Sequence, residues 1–138
     1  MSRLALWSCV IALVCGACES TSNYEPPLPG ALAESEWRGR IQMSDKVKNI
    51  IAIQEDQVFE ARQNGLLRVQ VNMRNLTEGE QSLRTSIVWF DASGLQLHAP
   101  TDGWMSHIVR PKALFTVSAG ASNPDAVSWR MNVDSWSR

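Results

Sequence analysis

The stretch Leu67-Arg68-Val69-Gln70-Val71-Asn72-Met73-Arg74 decides the fold class. Its apolar residues hold every odd position and its polar residues every even one. Successive side chains of an extended chain point to opposite faces, so Leu67, Val69, Val71 and Met73 share one face and Arg68, Gln70, Asn72 and Arg74 the other. A helical period of 3.6 would scatter the same residues around its axis. The segment is expected to be a β-strand with one face in a core and one in water.

Toward the C-terminus, residues Asn75 to Glu80 form a turn, and Asn75-Leu76-Thr77 belongs to its turn chemistry. Leu83 to Phe90 is a second strand, rich in β-branched and aromatic residues. It stops at Asp91-Ala92-Ser93-Gly94, a hairpin turn by composition, because glycine tolerates positive φ and aspartate caps nearby backbone amides. Leu95 to His98 begins a return strand, Pro100 to Gly103 interrupt it, and Trp104 to Val109 continues. Ala113 to Ala119 follows the Pro111-Lys112 turn, and Ser122 to Asp125 turn the chain again. In the last strand Val127, Trp129, Met131 and Val133 alternate with Ser128, Arg130 and Asn132. Toward the N-terminus, Val47 to Ile53 and Val58 to Ala61 read as strands parted by Glu55-Asp56. About seven short antiparallel strands in residues 41–138 predict an all-β, immunoglobulin-like β-sandwich.

Ahead of this domain, Arg3 and the apolar run Leu4 to Val14 lead to Val14-Cys15-Gly16-Ala17-Cys18. A run of about eleven apolar residues is roughly half the ~20 that span a bilayer, so it reads as a signal-peptide core. Small residues before Cys18 mark residues 1–17 as a lipoprotein signal and the Cys18 thiol as the lipid acceptor. Cys15 stands where such signals carry an aliphatic residue, and the alternative is an ordinary secreted protein with a stray cysteine. The three cysteines are Cys9, Cys15 and Cys18, so cleavage leaves one thiol and no intramolecular disulfide. Residues 18–40, with Pro26, Pro27, Pro29 and Gly30, read as the lipidated cysteine followed by a flexible tether. Glu19 follows Cys18 where aspartate would favour the inner membrane, so the expected address is the outer membrane, facing the periplasm, with the inner membrane as the alternative.

Composition excludes several functions. Loss of the signal removes Arg3 and no acidic residue, which takes the net charge from −1 to −2. That leaves no basic field for nucleic acid. The two histidines, His98 and His107, read as solvent-exposed strand ends without a nucleophile motif, and no mature thiol or carboxylate cluster stands at ligand spacing. No catalytic residue, cofactor or metal is expected.

Five tryptophans remain after the signal. Trp89 and Trp129 fall on apolar strand faces and read as core. Trp37, Trp104 and Trp136 lie near strand ends and read as partly exposed. With Asp91, Ser93 and Gly94 they are the candidate binding residues, either for an envelope or cell-wall-assembly protein or, by stacking on sugar rings, for glycan.

The segments Val71-Asn72-Met73-Arg74-Asn75-Leu76-Thr77, Ser86 to Leu95, Trp104 and Ala121 to Ala126 resemble the YcfL family of small bacterial envelope lipoproteins. The similarity spans about Leu66 to Val133. It implies a lipid anchor and an immunoglobulin-like domain of unassigned function, and it supplies no catalytic residues.

Overall fold

The computed structural model describes residues 30–99 and 103–136. The signal, Cys18 and the tether as far as Pro29 lie outside the described residues. Among the described residues eight strands form two sheets: β1 (Ile41–Met43), β2 (Ile51–Gln63), β3 (Leu66–Asn75), β4 (Gln81–Phe90), β5 (Gln96–Leu97), β6 (Met105–Val109), β7 (Leu114–Gly120) and β8 (Ser128–Ser135). One sheet has the order β2-β3-β7, and the other β1-β8-β4-β5 with β6 also paired to β4. The two sheets close on each other as a β-sandwich.

The alternation that announced β3 sets its orientation. Leu67, Val69, Val71 and Met73 are all buried, facing a layer that includes Leu83, Trp89, Trp129, Met131 and Val133 from the other sheet. The β2–β3 hairpin turns at Asn64-Gly65, whose φ angles of 53° and 79° suit the tight turn that matches strand twist. Register between β2 and β3 slips between Ile53 and Val58, so Glu55-Asp56 sits in a bulge of one long strand where the sequence suggested two.

Three further expectations about the fold need correction. The strand expected from Val47 begins only at Ile51, because Asp45–Lys48 makes a single helical turn, α2, that drives Val47 fully into the core. The strands are not all antiparallel: β1 pairs in parallel with β8, Ile41 opposite Met131. Three residues are too few to show a period, which is why β1 escaped detection. The tether does not run as far as residue 40. Ala31 bridges Phe59, Leu32 N–H donates to Val58 O at 2.8 Å, and Glu60 N–H donates to Gly30 O at 2.8 Å. A second single turn, α1 (Glu34–Trp37), buries Trp37 to 7% exposure. Two apolar anchors, Leu32 and Trp37, outweigh a Ser-, Pro- and Glu-rich composition.

Asn75 shows how the loops are fixed. It is fully buried at the end of β3, and its Nδ2 donates to Gly79 O at 2.9 Å, Arg110 O at 3.0 Å and Val109 O at 3.4 Å. Its Oδ1 accepts from Thr77 N–H at 2.9 Å and Thr77 Oγ1 at 2.8 Å. One amide thus ties the β3–β4 turn to the end of β6. Asn75→Ala leaves the buried Val109 carbonyl and the half-buried groups of the turn without their side-chain partner, at a cost of about 1–3 kcal/mol. Asn75→Asp, which sets a carboxylate against three carbonyl oxygens, costs at least as much at pH 7. Urea unfolding of both variants measures this.

Candidate functional site

Along β4 the core-facing residues are Leu83, Thr85, Ile87 and Trp89, with Ser86 between them buried as well, and along β8 they are Trp129, Met131 and Val133. The intervening residues therefore share the outer face of the five-stranded sheet. Register sets them in rows: Arg84 opposite Asp134, Ser86 opposite Asn132, Val88 opposite Arg130 and Phe90 opposite Ser128. On the other side of β4, Ser82 meets Ile108 and Arg84 meets Ser106. Trp104 stands one residue beyond the Thr85–Met105 pair, next to the Ser86 row. Trp136 N–H donates to Ser82 O at 2.9 Å, which carries the same alternation to the far end of β8.

Arg84 organises this face. Its guanidinium donates to Asp134 Oδ2 from Nη2 at 2.8 Å and from Nε at 3.3 Å. The same group lies 4.6 Å from the centre of the Trp104 ring, a cation–π stack. The carboxylate aligns the guanidinium, and the guanidinium supports the indole, whose residue remains 49% exposed. The Arg84 guanidinium also holds the Asp134 carboxyl below the ordinary carboxylate range, so the ion pair persists at mildly acid pH. Asn132 Nδ2 donates to Ser86 Oγ at 3.2 Å, and Arg130 lies 5.5 Å from the Phe90 ring centre. With Ile108 at 61% exposure, the face combines a supported indole, an apolar side chain, fixed charges and a side-chain amide. Such a set can stack on a planar or ring ligand while hydrogen-bonding its edge.

A model of the family described as "Protein of unknown function (DUF1425)" matches residues 40–135. The chain belongs to the DUF1425 family. A solved DUF1425 family member from Shewanella sp. pv-4 is 22% identical, with a TM-score of 0.53 over 60% of this chain and 73% of that one. The crystal structure of Campylobacter jejuni cj0090 is 14% identical, with a TM-score of 0.58 over 70% of this chain and 98% of the other. Both likenesses concern the fold. No curated protein matches the chain.

This DUF1425 domain distributes the residues singled out from sequence over three places. Trp104 and Trp136 share the outer face, two strand spacings apart across β4 and roughly 13 Å apart along it. Trp37, expected to be partly exposed, is instead buried in the core cluster and lines a cleft with Ile41 and Met43 of β1 and Ile53 of β2. Asp91, Ser93 and Gly94 form the β4–β5 turn. Asp91 Oδ1 accepts from Ser93 N–H at 2.8 Å, Ser93 Oγ at 2.6 Å and Leu95 N–H at 3.0 Å, and Gly94 has φ 83°. Those bonds, the Ser93 hydroxyl first and the Leu95 amide next, hold the Asp91 carboxyl below its usual range. The carboxylate is engaged by its own loop, about four residues of strand beyond the Trp104 row.

His107 is not the solvent-exposed strand end that its position suggested. It faces the sandwich interior, its Nε2 lies 2.8 Å from the fully buried Thr85 Oγ1, and burial pushes its pKa down. Arg84, Asp134, Asn132 and Ile108 were not singled out from sequence. The Arg84–Asp134 partners lie 50 positions apart, and only the β4–β8 register brings them together.

Proposed function

We propose that the chain is a lipid-anchored protein of the bacterial envelope, of the YcfL type within DUF1425, that works by binding and without catalysis. In this reading Cys18 carries the lipid, residues 19–29 give reach, and the sandwich faces the periplasm from the outer membrane. The observation that supports a binding role is the Trp104–Arg84–Asp134 array on the outer face of the five-stranded sheet. Aromatic and arginine side chains held in place before a partner arrives lose little conformational freedom on binding, which is how interface anchors work. Photocrosslinkers placed at residues 104 and 130 in intact cells test it. Discrete adducts from both positions, absent when Arg84 is changed to alanine, are expected; equal labelling from residue 63 on the other sheet would refute it.

Glycan is the second reading, favoured by the exposed indole stacked on Arg84, with Asp134 and Asn132 across β4 as further groups that hydrogen-bond sugar hydroxyls. Tryptophan fluorescence titrated with peptidoglycan fragments separates the two. A saturable change that disappears in Trp104→Ala would favour glycan, and a flat titration would leave a protein partner.

A further inference from the structure

The three-stranded sheet ends at β7, which pairs with β3 alone among the described residues, in seven consecutive pairs without a bulge. Bonds at the two ends of that ladder show which backbone groups it uses. Ala121 N–H donates to Leu67 O at 2.8 Å, and Asn75 N–H donates to Ala113 O at 2.9 Å, each between residues directly opposite. In an antiparallel pair, residues that exchange bonds alternate with residues whose N–H and C=O point the other way. Phe115, Val117 and Ala119 therefore direct their backbone groups to β3. Leu114, Thr116, Ser118 and Gly120 direct theirs outward, along the open edge of the sheet.

Exposed edges are usually blunted by charge, proline or a bulge, because an unpaired ladder recruits other strands. β7, Leu-Phe-Thr-Val-Ser-Ala-Gly, contains no charge and no proline. Beside it the seam between the sheets opens into a cleft of about 260 Å³ lined by Ile87, Trp89, Met105, Ser118 and Ala119. This is smaller than the roughly 300–1,000 Å³ of a small-molecule pocket and suits side chains hanging from an added strand. The edge and the cleft are independent features on the same side of the sandwich.

We propose that β7 receives an extended, uncharged segment of a partner protein, which adds a fourth strand to this sheet and lowers an alternate apolar side chain into the cleft. A second copy of this chain fits poorly. A β7–β7 pairing would extend the sheet but bring no side chain to the cleft, because the inward Phe115, Val117 and Ala119 of the incoming strand stay packed in its own sandwich. The occupant must have an inward face not committed elsewhere. Strand addition of this kind draws affinity from the main chain and selectivity from the alternate side chains. The inference rests on the binding role proposed above and specifies the chemistry of a peptide partner.

Hydrogen exchange resolved to single amides, on the full chain with a capped heptapeptide of alternating threonine and valine, tests it. Without peptide, the amides of Leu114, Thr116, Ser118 and Gly120 exchange fast and those of Phe115, Val117 and Ala119 slowly. Saturating peptide slows the first set by roughly tenfold or more. Ser118→Pro removes an outward N–H without touching the β3 ladder and weakens the peptide about tenfold or more. Ser118→Lys, which keeps the backbone and adds charge at the edge, does the same if the proline variant unfolds. Three results would overturn the proposal: no slowing at the four amides, equal slowing in both variants, or amides already slow before peptide is added, which would mean that the chain itself or a second copy fills the edge. If strand addition fails while the Arg84-dependent crosslinks at residue 104 persist, the binding role stands and only its chemistry is refuted.

Discussion

Trp129→Ala costs about 3–5 kcal/mol, the largest loss expected from any single substitution in the sandwich. Trp129 is 1% exposed and sits opposite Trp89 in the β4–β8 ladder, so its ring fills the layer between the sheets. Its indole N–H donates to Glu60 Oε2 at 2.7 Å, and Glu60, from the other sheet, also accepts from Arg40 at 2.8 Å. Arg40 in turn lies 5.7 Å from the Trp129 ring centre. The residue therefore joins the two sheets twice, by apolar packing and by a hydrogen bond to a half-buried carboxylate. Alanine leaves a cavity and takes one donor from that carboxylate.

Two milder variants separate these contributions. Trp129→Phe keeps most of the ring and loses the N–H, for about 1–2 kcal/mol. Glu60→Gln keeps an acceptor for the indole and gives up the Arg40 ion pair, a partly exposed contact worth about 1 kcal/mol or less. Against a total of about 5–15 kcal/mol for a domain this size, the alanine change should lower the melting temperature by roughly 15 °C. Trp104→Ala, at a half-exposed ring, should cost about 1 kcal/mol or less. Chemical denaturation that finds similar small losses at 129 and 104 would contradict this account of the core.

The strands that could be read in the sequence are those with one wet and one dry face. β3 and β8 alternate strictly because Leu67 to Met73 and Trp129 to Val133 enter the core while their neighbours meet water. The Asp91 to Gly94 turn was legible because its conformation is set by its own side chains. Elements decided by tertiary contact were hidden. α2 is one turn long and exists because Val47 has a hole to fill, and β1 is three residues given strand character by β8. Asn64-Gly65 carried a strong hairpin signal that would have shown β2 continuing to Gln63.

The candidate site was half legible for the same reason. Composition pointed to Trp104 and Trp136 as tryptophans outside the strong apolar faces, and the sheet sets both on its outer side. The cation and carboxylate that support Trp104 come from two other strands, and no local pattern links Arg84 to Asp134. Trp37 belonged to the same compositional class and proved to be core, because the segment before β1 folds back across β2.

Cys18→Ala is expected to move the protein from the membrane to the soluble fraction of the envelope. Each buried acyl methylene contributes about 0.8 kcal/mol, so one chain anchors marginally and two or more hold the protein firmly. No described helix is long and apolar enough to cross a membrane. In the proposed arrangement the lipid on Cys18 attaches the chain to the membrane, and the outer face and the β7 edge meet their partners from it. The most direct test is the mass of the N-terminal peptide of the protein taken from membranes. The prediction is a chain that starts at Cys18 and carries the added mass of a diacylglyceryl group with or without an amide-linked acyl chain; a start at any other residue, or a Cys18 with a free thiol, would contradict it.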